Sequence, residues 1–140
     1  MGALQRTKGA TAERVVAGLI RDWLGLPVFR NWQGQAAQGG ADLTGIPGWS
    51  LEIKRAKEFR NDWWDQAEGQ AAECGTTPVL IYLLDRTRRG QSLIDRWRAI
   101  LPLAAFSRFD VDEGLTAEIS LRAWIQLARE SLPIPTPTPE

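Results

Sequence analysis

The sequence predicts an α/β fold, and three observations along the chain support that prediction. Residues 10–24 form an amphipathic segment in which apolar side chains recur at helical spacing. A Pro47-Gly48 turn separates two short segments of strand character. Residues 79–84 are a continuous apolar run of the kind found in a strand that is buried on both faces. A chain that mixes helices and strands in this way is typical of a sheet packed against helices.

The N-terminal part of the chain is predicted to hold a helix, a loop and three strands. The helix covers residues 10–24 and ends at Gly25, shortly before Pro27. Residues 33–40, which are rich in Gln, Ala and Gly, predict a mobile loop. The three short strands are predicted at residues 28–30, 41–44 and 49–54.

The second half of the chain is predicted to begin with another helix, residues 61–74, which has Gln and Ala at helical spacing and stops at Gly75. Pro78 then opens the buried strand. The remaining elements are expected to be a strand within residues 93–103, a strand at residues 115–120 and a helix at residues 121–130. Residues 132–140 alternate Pro with Ile or Thr, which predicts a disordered, polyproline-like tail. Residues 1–131 are therefore expected to form one domain.

Composition excludes several kinds of chemistry. The chain contains no histidine, and Cys74 is its one cysteine, expected to be a small buried side chain. A Ser-His-Asp or Cys-His nucleophile, an HNH-type nuclease, a zinc finger and a disulfide scaffold all need residues that are absent. Catalysis would have to use carboxylates, lysine, hydroxyls or a metal held by oxygen ligands, which suits Mg²⁺ or Mn²⁺.

Charge and hydropathy limit the surroundings in which the protein can act. The net charge is zero, which argues against a protein that coats nucleic acid. Arginines are nevertheless concentrated in residues 6–30 and 86–98, and acids in residues 110–140. A neutral total can therefore conceal a basic face, with dispersed solvated arginines as the alternative. Because no stretch approaches the roughly 18 apolar residues of a membrane span and no secretory segment is evident, we expect a cytoplasmic protein without a membrane partner.

Asp42, Glu52 and Lys54 form the pattern that most strongly indicates a chemical function. Nine residues separate Asp42 from a Glu-x-Lys sequence across the predicted hairpin. Side chains alternate along a strand, so Glu52 and Lys54 share one face while Ile53 points into the opposite, apolar face. The two acids, helped by the Ile53 carbonyl, can hold a divalent cation that activates water and stabilises charge on a phosphate. Lys54 can orient the attacking water or pair with the phosphate. The alternative is an exposed strand with alternating charges.

The register of this hairpin decides whether the two acids meet, because a slip of one residue turns a side chain to the wrong face. A strict two-residue turn at Pro47-Gly48 would place Asp42 opposite Ile53. We therefore predict a longer loop or a bulge that places Asp42 opposite Glu52.

Several motifs occur in an order that is similar to a known nuclease family. These motifs are Lys8-Gly9-x-x-Ala12-Glu13-Arg14, Gly40-Ala41-Asp42-Leu43, Leu51-Glu52-Ile53-Lys54, a Gln-bearing helix and Gly75-x-x-Pro78-Val79-Leu80. In this order they resemble the PD-(D/E)xK nucleases, and among them the archaeal-type Holliday-junction resolvases and similar small phage enzymes. The resemblance implies a restriction-endonuclease-like αβββαβ core with a mixed central sheet and a C-terminal strand-helix extension. Ala41 replaces the family's Pro, and no resolvase-like serine follows Arg30.

The resemblance also implies roles for individual residues. Asp42 and Glu52 would be metal ligands, Lys54 the catalytic lysine, and Glu13 the first-helix acid that completes the metal site or holds a metal-bound water. The alternative for Glu13 is an acid near a helix N-terminus, where the dipole favours it. Either Gln66 or Gln70, one helical turn apart, would lie beside the site.

Nearby basic and aromatic residues are candidates for contacts with DNA. The expected phosphate contacts are Lys8, Arg55, Lys57 and Arg60, with a solvated basic face as the alternative. Trp63 and Trp64 can stack on a base or pack in the core, and packing is favoured because one of two adjacent helical residues normally faces the core.

The resemblance implies a Mg²⁺-dependent endonuclease, with Mn²⁺ able to substitute, that cleaves branched DNA as a homodimer. A nicking or end-processing nuclease on ordinary DNA is a second possibility. The third is a nuclease-like fold that only binds nucleic acid or a phage assembly partner, and the presence of Asp42, Glu52 and Lys54 argues against it.

Overall fold

The computed structural model describes residues 2–26, 28–30, 42–85, 92–107 and 109–131. The helices are α1 (Gly2–Leu24), α2 (Asp62–Cys74), the single turn α3 (Leu93–Arg96) and α4 (Leu121–Ser131). The strands are β1 (Phe29–Arg30), β2 (Leu43–Thr44), β3 (Trp49–Ala56), β4 (Thr77–Leu84), β5 (Arg98–Pro102) and β6 (Thr116–Ser120). A 3₁₀ turn, Leu103–Ala105, follows β5. The predicted loop at residues 33–40, Ala41 and the tail at residues 132–140 lie outside the described residues.

The strands of the described chain lie side by side in sequence order in one six-stranded sheet. β3 and β4 run parallel from the pair Trp49–Thr77 to the pair Ala56–Leu84. The other neighbouring strands are antiparallel. Parallel neighbours need a crossover connection, which α2 supplies. The sheet is therefore mixed, as predicted, and β5, β6 and α4 form the C-terminal extension.

Side chains from alternate residues of β4 belong to two different apolar clusters. Val79 and Ile81 lie in a large cluster that includes buried residues of α1 and α4. Leu80 and Tyr82 lie in a smaller cluster with Trp63 of α2. Since side chains alternate along a strand, the clusters occupy opposite faces of the sheet. This arrangement explains the continuous apolar run of β4, which is buried on both faces.

Three local predictions were wrong in detail. α1 begins at Gly2 rather than at residue 10. Leu93–Arg96 is a helical turn, and the strand starts only at Arg98, because the Ser92 carbonyl accepts hydrogen bonds from the backbone N–H groups of Asp95 and Arg96 (3.0 and 3.1 Å). Cys74 is exposed, since it is the last residue of α2 and the chain turns away at Gly75. No helix in the described part of the chain could span a membrane.

Candidate active site

The β2–β3 hairpin has the predicted register, with Asp42 opposite Glu52. Leu43 pairs with Leu51, and extending this register by one residue places Asp42 opposite Glu52. The backbone N–H of Asp42 donates to the Leu51 carbonyl at 2.9 Å. The loop between the strands contains Gly45 and Gly48, both with positive φ (108° and 82°), a conformation that glycine adopts at little cost. The connection is therefore longer than a two-residue turn, as predicted.

Asp42 and Glu52 are buried acids, with exposed fractions of 7% and 4%. Burial raises the pKa of Asp42 to about 7, and the charge of Glu52 acts in the same direction. A 2.7 Å hydrogen bond from the Ile53 backbone N–H to Oδ2 of Asp42 partly opposes that shift. Burial also raises the pKa of Glu52, against the opposing effect of Lys54. Burying two carboxylates side by side lowers the stability of the folded protein. Buried acids with shifted pKa values are common at functional sites, so the pair is a candidate functional site.

Lys54 and Gln70 both interact with the Glu52 carboxylate. The Lys54 Nζ lies 3.1 Å from Oε1 of Glu52. Hydrogen bonding by Gln70 lowers the pKa of Glu52, and Gln70 is partly buried, whereas Gln66 is exposed. Oε2 of Glu52 is buried without a hydrogen-bond partner among the described residues. Of the two candidate glutamines, the structure therefore brings Gln70 beside the acid.

The acids open into a cavity of about 650 Å³. Residues that line it include most of the predicted site: Glu13, Asp42, Glu52, Ile53, Lys54, Arg55, Lys57 and Arg60. Neither Gln66 nor Gln70 lines it, and the side chain of Lys8 lies outside the described part of the chain. Ile53 contributes its side chain to the main core, so its backbone is the part available to the cavity.

Glu13 lines the same cavity from α1. Its neighbours Ala12 and Val16 are buried in the main core, and this packing fixes the helix against the sheet. The Glu13 charge contributes to the raised pKa values of both Asp42 and Glu52. Because α1 begins at Gly2, Glu13 is far from the first turn, and the alternative of an acid placed by the helix dipole is wrong.

The donor set fits a hard divalent cation. Both acids offer oxygen ligands, and the unpartnered Oε2 of Glu52 is a buried acceptor that a cation would satisfy. Among the described residues, no three carboxylates lie close enough together to form a complete metal site. Mg²⁺ does not need one, since it usually keeps several waters and takes one or two protein carboxylates together with substrate phosphates.

Cationic side chains continue from the site along the end of β3 and the next loop. Arg55 pairs with Asp85 at 3.3 Å, and Arg60 pairs with Asp62 at 3.2 Å. The arginine side chains of these pairs are 40% and 69% exposed, and exposed pairs contribute little free energy. A phosphate group can therefore replace the carboxylate partners at small cost.

Sequence reasoning missed an aromatic cluster beside the cavity. The Phe59 ring lies 5.0 Å from the Trp63 ring and 5.1 Å from the Tyr82 ring, centroid to centroid. Trp63 is only 5% exposed, and Trp64 packs against the same small core, so the packing interpretation of both tryptophans is confirmed. The available signal was Phe59 itself, an aromatic residue between Lys57 and Arg60.

Comparisons with known proteins give a family match and a structural likeness. A comparison with curated proteins gives no match. Among solved structures, the chain is similar to Hjc, a Holliday junction resolvase from the archaeal hyperthermophile Archaeoglobus fulgidus, at 20% identity and a TM-score of 0.46, over 81% of this chain and 84% of that chain. The family described as phage putative PDDEXK endonuclease matches residues 4–105, from α1 to the 3₁₀ turn, which include every candidate site residue. The predicted order of helix, three strands, helix and strand around a mixed sheet is present in the structure, and the chain belongs to the phage putative PDDEXK endonuclease family.

Proposed function

We propose that this protein is a divalent-metal-dependent endonuclease that hydrolyses phosphodiester bonds in DNA. The observation that carries the proposal is the buried pair Asp42 and Glu52, with the Lys54 ammonium 3.1 Å from the second acid, in an open cavity. Two adjacent buried carboxylates repel each other and lack water. Such a pair is useful where a cation binds, because the cation offsets both penalties.

The chain offers a set of oxygen ligands for the metal. Asp42, Glu52 and the backbone of Ile53 would hold Mg²⁺ or Mn²⁺, and Glu13 would bind it directly or through water. When bound, the ion supplies Lewis-acid stabilisation of phosphate charge and a lowered pKa of water. The Ile53 N–H fixes Oδ2 of Asp42, and this orients the carboxylate before any metal or substrate arrives.

Lys54 is the residue that we assign to the reacting phosphate. Its side chain is 28% exposed, so its ammonium can reach a substrate in the cavity while remaining beside Glu52. As a compact cation, it can pair with a phosphate oxygen or orient the attacking water. Gln70 on α2 lowers the pKa of Glu52 by hydrogen bonding, and we assign it as a positioning residue.

The cavity also supports DNA as the substrate, although the whole chain has zero net charge. Among the described residues, four cationic ones line it, Lys54, Arg55, Lys57 and Arg60, together with the acids Glu13, Asp42 and Glu52. A bound divalent ion would add two more positive charges. The local surface would then be cationic where a phosphate backbone has to pass.

For the finer substrate class, we propose branched DNA cleaved by a homodimer. The motif order similar to the resolvases supports it, and so does the neutral total charge, since tight binding along plain duplex usually needs a broad basic footprint. A branched substrate places two symmetry-related strands within reach of two active sites. Local basic patches such as Lys57 and Arg60 can then act together on separate arms.

The proposal is tested by a cleavage assay with plasmid DNA and with labelled oligonucleotides in Mg²⁺, in Mn²⁺ and in EDTA. We expect cleavage in either metal, none in EDTA, and none by Glu52→Gln, which still binds DNA. Glu130→Gln, an exposed acid on α4, is the matched control and should cut like the parent. DNA binding without cleavage in any metal would overturn the proposal and favour a non-catalytic nucleic-acid-binding module.

A further inference from the structure

An exposed phenylalanine lies next to the proposed active site. Phe59 is 38% exposed in the loop between β3, which carries Glu52 and Lys54, and α2. Lys57 and Arg60 on either side of it line the cavity, whereas Glu58 and Phe59 itself do not. Single exposed apolar side chains are common on protein surfaces, but this one is set apart by its position between cationic residues that line the cavity.

Packing accounts for only part of the Phe59 ring. It makes edge contacts with Trp63 and Tyr82 at interplanar angles of 68° and 71°, so neither ring stacks parallel to it. Trp63 is buried and also lines the cavity. Phe59 therefore contacts the cavity lining through the Trp63 ring. Because two aromatic neighbours hold the ring, a ligand that binds it loses little side-chain entropy.

The residues around Phe59 indicate which kind of ligand it would bind. A planar, largely apolar group joined to a polyanion matches an aromatic ring flanked by Lys57 and Arg60, and a nucleobase with its phosphates has that composition. Within an intact duplex, neighbouring base pairs cover both faces of every base. An unpaired base at a branch, fork or flap has a free face.

We infer that Phe59 forms a base-stacking subsite beside the active site, which accepts an unpaired nucleobase adjacent to the bound phosphate backbone. This inference rests on the proposed function and deepens it, since it names the DNA structures that the cavity favours. It also supplies affinity for branched DNA that does not depend on net charge, because base–aromatic stacking tolerates any sequence.

The test measures binding rather than cleavage. All proteins carry Glu52→Gln, and the probes are a forked DNA with 2-aminopurine at the first unpaired position and a fully paired duplex of the same sequence. Phe59→Leu keeps an apolar contact with Trp63 and Tyr82 but removes the aromatic face. Phe59→Trp keeps a stacking face. Phe109→Leu, at an 82% exposed phenylalanine between β5 and β6 that does not line the cavity, is the matched control.

We expect Phe59→Leu to weaken fork binding by about fivefold to 150-fold, the range that stacking of one base provides. Duplex binding should change by less than about twofold. The parent, Phe59→Trp and Phe109→Leu should all quench 2-aminopurine fluorescence, and Phe59→Leu should not. Equal weakening on both DNAs, or an unchanged fork affinity in Phe59→Leu, would overturn the inference, as would loss of quenching in a folded Phe59→Trp.

Thermal unfolding of each variant separates a folding defect from a lost contact. If Phe59→Leu does not fold, the test uses the comparison of Phe59→Trp with the parent. Quenching of 2-aminopurine by both proteins is the expected result, and its loss in Phe59→Trp would overturn the inference. Failure of the proposed function would be seen in a different experiment, as absence of cleavage by the unmodified chain with Mg²⁺ or Mn²⁺. Stacking is measured by binding to proteins that carry Glu52→Gln and do not cleave DNA.

Discussion

The backbone N–H of Ile53 donates a 2.7 Å hydrogen bond to Oδ2 of Asp42 and so ties the first acid to the strand that carries the second. Glu52 precedes Ile53 on β3, and the pairing of Leu43 with Leu51 places Asp42 opposite Glu52. The two carboxylates are therefore held together by the fold itself. Their mutual repulsion and their burial should cost stability whenever no cation is bound.

The first prediction is that Asp42→Asn stabilises the metal-free protein. The pKa of Asp42 is raised from 3.8 to about 7 by burial and by Glu52, so the folded state binds this proton more tightly than the unfolded state does. The resulting stabilisation is complete below about pH 4 and is lost as the pH rises through about 7. Above pH 7, Asn avoids the buried charge and its amide oxygen can still accept from Ile53. We expect a gain of about 1 to 4 kcal/mol at pH 8.

Chemical denaturation in EDTA between pH 4 and pH 8 measures this effect. The unfolding free energy of the parent should fall with pH more steeply than that of Asp42→Asn. Some slope should remain in the variant because the pKa of Glu52 is also raised. Asp110→Asn, at an exposed aspartate, is the control. If both variants respond alike, or if Asp42→Asn is less stable than the parent at pH 8, the two acids are not a strained pair.

A second prediction concerns metal binding without DNA. Mg²⁺ or Mn²⁺ should raise the melting temperature of the parent, because a ligand that binds only the folded state stabilises it by about 2.7 kcal/mol at 100 times its Kd. The shift should be larger at pH 8 than at pH 6, since a proton on Asp42 competes with the metal. Asp42→Asn and Glu52→Gln should remove most of the shift. A shift of parental size in both variants would mean that the metal binds elsewhere.

A third prediction separates the two glutamines of α2. Hydrogen bonding by Gln70 lowers the pKa of Glu52, whereas Gln66 is exposed. Loss of a group that orients a metal ligand typically costs about 10-fold to 100-fold in affinity or activity, so Gln70→Ala should lower the single-turnover cleavage rate by that factor. Gln66→Ala, made on the same helix, should leave the rate within about twofold of the parent. A larger loss of rate in Gln66→Ala than in Gln70→Ala would show that the face of α2 that carries Gln66 is the one that acts in cleavage.

The sequence was sufficient to predict the features that depend on the alternation of side chains along a strand and on the order of helices and strands. Glu52 and Lys54 share a face because they are two residues apart on a strand. The need for the two acids to meet then required a longer hairpin loop, which the structure contains. The mixed sheet that the motif order implied is also present, and the helix between β3 and β4 supplies the crossover that their parallel pairing needs. These features are local or are fixed by one crossover.

Other features depend on how elements pack, which a single sequence does not reveal. The rotation of α2 on the sheet decides that Gln70 rather than Gln66 faces Glu52. The same packing brings Phe59 and Trp63, which are close in sequence, against Tyr82, which is far from both along the chain. The turn at Leu93–Arg96 was missed because its apolar residues suited a strand, while local hydrogen bonds to Ser92 favoured a helix.

The last prediction is that the protein, given Mg²⁺ or Mn²⁺, cuts a four-way junction by paired symmetric incisions in preference to linear duplex or single strands. Plain duplex offers this chain only electrostatic contacts, and its net charge is zero. A junction adds shape, because two subunits can each present Lys57 and Arg60 to a different arm.

A gel assay of junction, duplex and single strand with matching sequence measures the preference, and light scattering measures the size of the active species. Raising the salt concentration should weaken duplex binding more steeply than junction binding, since duplex binding rests more completely on phosphate contacts. The two incisions should lie at equivalent positions on opposing strands if a twofold dimer makes them. Equal or faster cutting of linear DNA, or full activity from a monomer, would defeat the junction preference and leave a simpler metal-dependent endonuclease, whose active site would still be Asp42, Glu52 and Lys54.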